Sequence, residues 1–537
     1  MFAPQNQQPN VIDAMTGNLQ DWYNEVDEAV KASEIIPGNY EYTTATSYGN
    51  VGDINEGDTT YVDIFTDRFK IIGLDNSYIT LEQEVPITVP SQSNLLFKEY
   101  YVGYKCSCDA IDQYRIYSNT DKIQDVHNAR YEWFMLSNSL SDEAKAGNDC
   151  FATIDKIRAH DSMVPGVYCD FSAITSAKEV IVKIPLRIPI SYFLMLFNMR
   201  YYPNWSGKLS IELMPSYQNI VIAPVCDHES LVAAKAVVEG DYLCDLGFRN
   251  VNESVKSNIK ATAGSGSTTY ATMDAPQKFV CNSQVTKDVK IKLATYLLKM
   301  DVFNALAAKY IQVPMLFPIH VCQVRDFTQP LGSNSTSAPT SFNTAATIGL
   351  KHCDTMFTVF RQSQYSRTCF LNPQIRYSFN IDGKIYPREA YETVDDPRNL
   401  NMLLDAVNLN GSLLSSLAKD IKTSVQPYYY KNTYNASGVN TQTRAWHGKD
   451  NSNFFIGLPF AEGEDFMGGI STTGTVQIEL FGDRLANTAM KNVTYIAPTG
   501  IYFEDALLKV RAMKPDGRSQ IEITNASIEQ LVAGMAR

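Results

Sequence analysis

The two halves of this chain repeat one another, and no other feature limits its possible folds as much. Gln113-Tyr-Arg115-Ile-Tyr-Ser-Asn119-Thr-Asp121 recurs as Gln374-Ile-Arg376-Tyr-Ser-Phe-Asn380-Ile-Asp382. Gly207-Lys-Leu209-Ser-Ile211-Glu212-Leu213 recurs as Gly474-Thr-Val476-Gln-Ile478-Glu479-Leu480, and Ile222-Ala223-Pro224 as Ile496-Ala497-Pro498. The offsets are 374 − 113 = 261, 474 − 207 = 267 and 496 − 222 = 274, a drift of the kind that loop insertions produce. The tripeptide alone carries almost nothing, but three matches in order indicate a duplication. A chain of 537 residues also exceeds what one core can organise.

The repeated segments read as strands. Leu209, Ile211 and Leu213 point one way and Lys208, Ser210 and Glu212 the other, and Val476, Ile478 and Leu480 repeat the alternation. The first segment is a strand ending in an Asn/Asp turn, where such side chains satisfy their own backbone. Arg115, Arg376, Glu212 and Glu479 fall on polar faces, either solvated or paired across sheets or subunits, solvation being the simpler reading. Further short strands are expected at 59–66, 78–89, 95–105, 180–185, 219–223, 356–360, 494–497 and 501–510, punctuated by Pro, Gly, Asn and Asp. Aromatics at 11%, with 31 Tyr and 25 Phe, favour pleated surfaces. Two helical patterns interrupt the strands. One covers 11–32, with Val11, Met15, Leu19, Trp22, Val26 and Val30 on one face and acids on the other. It reads as packed on its own domain or as an arm on a neighbour. The other covers 399–425, with Gly411 expected to kink or split it. The stretch 261–269 reads as a flexible loop or linker, and 332–340 as a long, small and polar surface loop. The fold class expected is therefore all-β with helical insertions, in two tandem sandwiches.

Chemistry is hard to find. A net charge of -12 makes a poor partner for phosphate backbones, and neither end carries a basic arm. The first residues show no secretory pattern, and 181–199 is too interrupted by Lys, Pro and Arg to span a bilayer. The ten Cys are scattered. Cys106 and Cys108 would share one face of a strand, and no zinc spacing occurs, so free thiols are expected. The N-x-S/T sequons read as chance products of composition. The six His are separated. Cys226-Asp227-His228 and His352-Cys353-Asp354 cannot converge on one ion if they lie in strands, because neighbours point to opposite faces. Phosphate-loop and nucleophile-elbow motifs are absent, and Gly264-Ser-Gly266-Ser reads as linker. The acids at Glu462, Glu464, Asp465, Asp395 and Asp396 sit in loops and read as solvated. No catalytic, cofactor-binding or metal-binding residue is expected, no cofactor, and no enzyme.

The stretches DQYRIYSNTDKI at 112–123 and IPLRIPISYFLMLFNMRYYPNWSGKLSIEL at 184–213 resemble the double jelly-roll major capsid proteins of double-stranded DNA viruses. The likeness is to the virophage and Maverick/Polinton-like lineage in particular, with adenovirus hexon a distant member. NPQIRYSFNIDGKIYP at 372–387 and Gly457-Leu-Pro-Phe460 before GTVQIEL carry it into the second half. The resemblance implies two eight-stranded jelly rolls perpendicular to a capsid surface, in homotrimers of pseudo-sixfold outline that tile an icosahedral shell around a double-stranded DNA genome. It implies a place in the virion capsid after assembly in host cytoplasm or nucleus. The implied partners are other copies of the chain, a penton and minor capsid proteins, without sequence-specific nucleic acid binding or a membrane span. The domains expected are an N-terminal arm at 1–44, a first roll at 45–250, an inter-roll region at 251–300, a second roll at 301–512 and a tail at 513–537. The alternative is a β-sandwich carbohydrate-binding or attachment protein using Trp205, Trp446 and Tyr428–Tyr430.

Overall fold

The computed structural model describes residues 41–46, 52–65, 70–90, 99–139, 165–196, 199–224, 248–253, 258–259, 271–272, 279–312, 315–327, 331–332, 341–373, 375–393, 396–414, 428–434, 437, 440–446, 452–460, 469–472, 474–481, 495–511 and 521–524. The helix expected at 11–32, the loop at 261–269, nearly all of the loop at 332–340 and the Cys226-Asp227-His228 triplet lie outside these residues.

Sixteen strands build two sandwiches of eight. The first uses β1 (Glu41–Thr46), β2 (Thr60–Ile64), β3 (Lys70–Val89), β4 (Ile111–Ser118), β5 (Asp121–Val126), β6 (Lys178–Pro189), β7 (Leu209–Pro215) and β8 (Val285–Leu297). The second uses β9 (Met315–Asp326), β10 (Ser341–Thr347), β11 (Leu350–Arg361), β12 (Arg376–Ile381), β13 (Lys384–Glu392), β14 (Ile456–Pro459), β15 (Thr475–Phe481) and β16 (Tyr495–Val510). In the first, β1-β8-β3 form one sheet, with β6 and the short Tyr201–Pro203 sharing the other edge of β3. The facing sheet runs β2-β7-β4-β5. In the second, β9-β16-β11 carry β14 and the short Ile470–Thr472 on the other edge of β11, and the facing sheet runs β10-β15-β12-β13. Counted from one to eight, both units read 1-8-3-6 over 2-7-4-5, all antiparallel. That is the jelly-roll order. The chain is a tandem pair of jelly rolls.

Each roll fills the space between its sheets with the alternating apolar face predicted from sequence. Leu209, Ile211 and Leu213 are fully buried, as are Val476, Ile478 and Leu480. The second of these sets packs with Met356, Phe360, Tyr377, Phe379 and Tyr502 in the core of the second roll. Helix α1 (Arg130–Ser139) follows β5, and helix α3 (Pro397–Leu414) follows β13 at the equivalent place. Helix α2 (Met300–Gln312) joins the rolls.

The repeat holds at the level of strands, with one adjustment. Ile211 pairs with Ile116, and Ile478 with Phe379. Since 478 − 211 = 267 but 379 − 116 = 263, β4 and β12 align two residues away from the offset of 261 suggested by their polar residues. A shift of two preserves which side chains face inward. It also equates the turn residues Asn119 and Asp382, whose φ angles are 54° and 48°. Asn119 bonds to the backbone of Lys208, just after Gly207. At Gly474, equivalent to Gly207, a Cβ would collide with the Asp382 carboxylate. Ile222-Ala223-Pro224 does not correspond to Ile496-Ala497-Pro498. The former lies in a separate four-stranded sheet with 99–103, 166–170 and 249–250, the latter in β16.

Other expectations need correction. Residues 285–297, placed from sequence between the rolls, are β8, a central strand bonded to both β1 and β3. Residues 41–44, assigned to the arm, belong to β1, and Ile521–Thr524, assigned to the tail, pairs with the end of β16. The carboxylate on the polar face of β7 is not solvated. Glu212 is 5% exposed and stands opposite Arg115, 3.2 Å from its guanidinium, while Tyr117 donates to it at 2.8 Å. The pair is not repeated, because Glu479 faces Ser378.

Leu293 and Leu297 on β8 separate a central strand from a linker. Leu293 is fully buried and Leu297 is 56% exposed. Leu293→Ala is expected to cost about 2–5 kcal/mol in denaturant melts, and Leu297→Ala less than about 0.5 kcal/mol. Equal, small effects would mean that 285–297 contributes little to the sheet.

Candidate functional site

The best-built feature of the molecule is the seam between the rolls. One continuous apolar cluster includes first-roll residues such as Trp133, Phe134 and Phe193 and second-roll residues such as Phe357, Phe370, Leu403, Phe455 and Phe503. Aromatic rings carry it across. Phe134 on α1 meets Phe370 edge-on at 4.8 Å and Phe455 at 5.8 Å. Phe455 meets Phe357 at 6.1 Å, and Phe357 meets Phe503 at 5.8 Å. Such edge-to-face pairs add to the stabilisation from burial alone. Helix α3 lies directly on β14, where a Cβ at Gly457 would come within 2.9 Å of Leu403. A larger residue there would force the helix away from the sheet.

The two helices are held by equivalent bonds. The Tyr114 hydroxyl on β4 donates to Glu132 of α1 at 2.9 Å, and the Tyr377 hydroxyl on β12 donates to Asn399 of α3 at 2.5 Å. In the aligned register Tyr114 and Tyr377 are the same position, since 377 − 114 = 263. Glu132 also accepts from the Leu194 amide at 3.3 Å. Burial pushes its carboxyl up to about 8, against the lowering effect of these two hydrogen bonds.

Polar clamps close the seam. The Lys105 ammonium, on a residue 4% exposed, donates to the Ser452 carbonyl at 2.9 Å and to its hydroxyl at 2.6 Å. The Asn250 side-chain Oδ1 accepts from the amides of Arg367, Thr368 and Cys369 at 2.8, 3.0 and 3.1 Å. Glu253 accepts from Ser363 and Ser366 at 3.2 and 2.9 Å. Beside these clamps lies a groove of about 320 Å³, lined by Tyr217, Gln218, Val251, Asn252, Gln364, Tyr365 and Arg367. Burial, then the nearby Arg130 charge, pulls the Arg367 guanidinium below its ordinary value.

The residues singled out from sequence fall as follows. Cys106 and Cys108 are buried, but Cys106 caps and Cys108 lies within a short 3-10 turn (Ser107–Ala110) rather than a strand. The seven cysteines of the described residues are free thiols. The His352-Cys353-Asp354 triplet splits, with Cys353 in the second core and Asp354 elsewhere, beside Asp505. Trp205 packs edge-on against Phe303 at 4.9 Å, half-buried rather than on an open loop. Tyr428 and Trp446 are paired in the backbone register of a two-stranded hairpin. Among the described residues, no helix is long and apolar enough to cross a membrane.

The fold defines a double jelly-roll protein. No family model and no curated protein sequence matches the chain. Solved structures do. The mavirus major capsid protein is 10% identical, with a TM-score of 0.48, over 93% of this chain and 92% of that one. The Sputnik virophage structure is 10% identical, with a TM-score of 0.45, over 93% and 94%. The Faustovirus major capsid protein is 9% identical, with a TM-score of 0.34, over 93% and 97%. The fold assignment rests on the two strand orders, which these likenesses accompany.

Glu132 gives the seam a pH dependence. Burial pushes its carboxyl up to about 8 in the folded state, above the ordinary glutamate value of 4.5. Between those values the folded state keeps a proton that the unfolded state has released, so stability falls as pH rises through that window and levels off above it. Glu132→Gln is expected to flatten this slope in melts run across the window. An unchanged slope would show that Glu132 is already ionised in the folded protein.

Proposed function

We infer that the chain is a capsid subunit, a structural building block rather than an enzyme. The observation that carries this reading is the fusion of two jelly rolls of identical strand order through one apolar core. Such a chain supplies two equivalent wall units in a fixed relation, and three chains supply six. A homotrimer of that kind has a near-hexagonal outline and packs against copies of itself to cover a closed shell. Cyclic closure requires one head-to-tail contact repeated three times. Large homo-oligomer interfaces are apolar, and exposed apolar side chains are present at Leu297, Met300, Leu400 and Leu404. The acidic charge of -12 speaks for assembly driven by protein contacts rather than by nucleic acid. The virion is the location this implies, with penton and minor capsid proteins as further partners. The N-terminal 40 residues suit a contact with a neighbour on the inner face.

One observation favours a second role, binding of a carbohydrate. The groove beside the seam combines two tyrosines, amide side chains and an arginine, a set that stacks on and hydrogen-bonds to sugars.

Sedimentation of nuclease-treated protein decides the main reading. A homotrimer that forms without DNA and persists at about 0.5 M salt is expected, since screening weakens like-charge repulsion and leaves apolar contacts intact. A monomer under those conditions that trimerises only on adding DNA would overturn it, and a monomer that scores on a glycan array would favour the second reading.

A further inference from the structure

Three buried side chains that the seam does not use meet on the large sheet of the second roll. His320 on β9 stands directly opposite Asp505 on β16. Its Nδ1 is 3.2 Å from Oδ1 of Asp505, and both side chains are 1% exposed. Asp354 on the neighbouring β11 joins them because the register slips between Cys353 and Thr355. A bulge of this kind re-aims a side chain that strict alternation would send to the other face. One donor atom from each of the three lies within 4.8 Å of the other two. Three donors held about 2.1 Å from one ion are at most about 4.2 Å apart, so small side-chain rotations close the difference.

The hydrogen bonding of the cluster is incomplete. Neither ring nitrogen of His320 makes a hydrogen bond, although the residue is 2% exposed, and Oδ1 of Asp354 makes none either. Buried polar atoms left in this state carry their full desolvation cost. A cation seated between them satisfies an imidazole nitrogen and Oδ1 of Asp354 at once. The backbone closes the cluster on one side, since a Cβ at Gly469 would come within 2.7 Å of Oδ1 of Asp354. The nearby Cys353 takes no part. Its thiol donates to the Thr355 carbonyl at 3.4 Å, and its side chain lies in the core of the second roll.

We propose that His320, Asp354 and Asp505 bind one divalent transition-metal ion, zinc in preference to calcium or magnesium. One imidazole nitrogen and two carboxylate oxygens form a mixed donor set that suits zinc, whereas the larger hard cations require more oxygen ligands. The ion ties β9, β16 and β11 together at the bulge. Because the three residues come from separate strands, the site exists only in the folded second roll, and metal binding stabilises that fold.

The test uses the full chain, stripped with a chelator, dialysed and then supplied with zinc chloride. Elemental analysis after desalting is expected to find about one zinc per chain, with a rise in melting temperature. Asp354→Asn keeps the shape and removes a ligand charge, and both the bound zinc and the melting shift are expected to disappear. Cobalt chloride added to the wild-type chain provides a readout that needs no variant. Visible d–d bands without a thiolate-to-cobalt charge-transfer band are expected. Zinc that the wild-type chain fails to retain, zinc retained equally by Asp354→Asn, or a thiolate band that assigns the metal to cysteine would each overturn the proposal.

Discussion

The packing of α1 and α3 into one apolar seam is the constraint on which the rest of the molecule depends. A single jelly roll can cover its own core with its two sheets. Here each roll also grows a helix after its fifth strand, and those helices, with the aromatic residues around them, give the rolls a shared interior. Phe134, Phe370, Phe455, Phe357 and Phe503 form a continuous path from one roll to the other. Burying one such side chain stabilises by about 1.5–3 kcal/mol. The surrounding hydrogen bonds contribute less to stability than to geometry. Asn250 organises three successive amides of the opposite roll, which fixes the rolls in rotation as the apolar contact fixes them in distance.

Duplication explains why this seam has two matching halves. The tyrosine at the shared position of β4 and β12 reaches the following helix in both rolls, but its partner is a buried glutamic acid in one and asparagine in the other. The neutral Asn399 side chain does not titrate, whereas burial pushes the Glu132 carboxyl up to about 8. The copies have diverged at the residues around the bond while keeping the bond. The same divergence separates the Arg115–Glu212 pair of the first roll from its counterpart in the second, where Glu479 faces Ser378.

Much of the architecture was legible in the sequence because strand alternation survives duplication. The inward triplets of β7 and β15 identify themselves, and so do the Asn/Asp turns after β4 and β12. The two-residue error in aligning those strands arose because polar side chains do not fix the pairing, which is set by apolar positions such as Ile116 with Ile211 and Phe379 with Ile478. Strand β8 alternates clearly at Val289, Ile291 and Leu293. It was hidden because the long polar stretch before it, around 261–269, suggested that the first roll had already ended. The His320, Asp354 and Asp505 cluster was invisible for a different reason. Its members lie far apart in the chain, and alternation alone sends Asp354 to the wrong face. A bulge is a feature of backbone pairing that no spacing rule reveals.

A fixed relation between the two rolls is what the proposed six-unit trimer requires, and direct imaging tests that proposal. Electron cryo-microscopy of the purified protein is expected to show threefold particles containing six sandwich densities, in three pairs of constant internal angle. Single chains, or particles in which the two rolls of one chain vary in their relative orientation, would contradict the account.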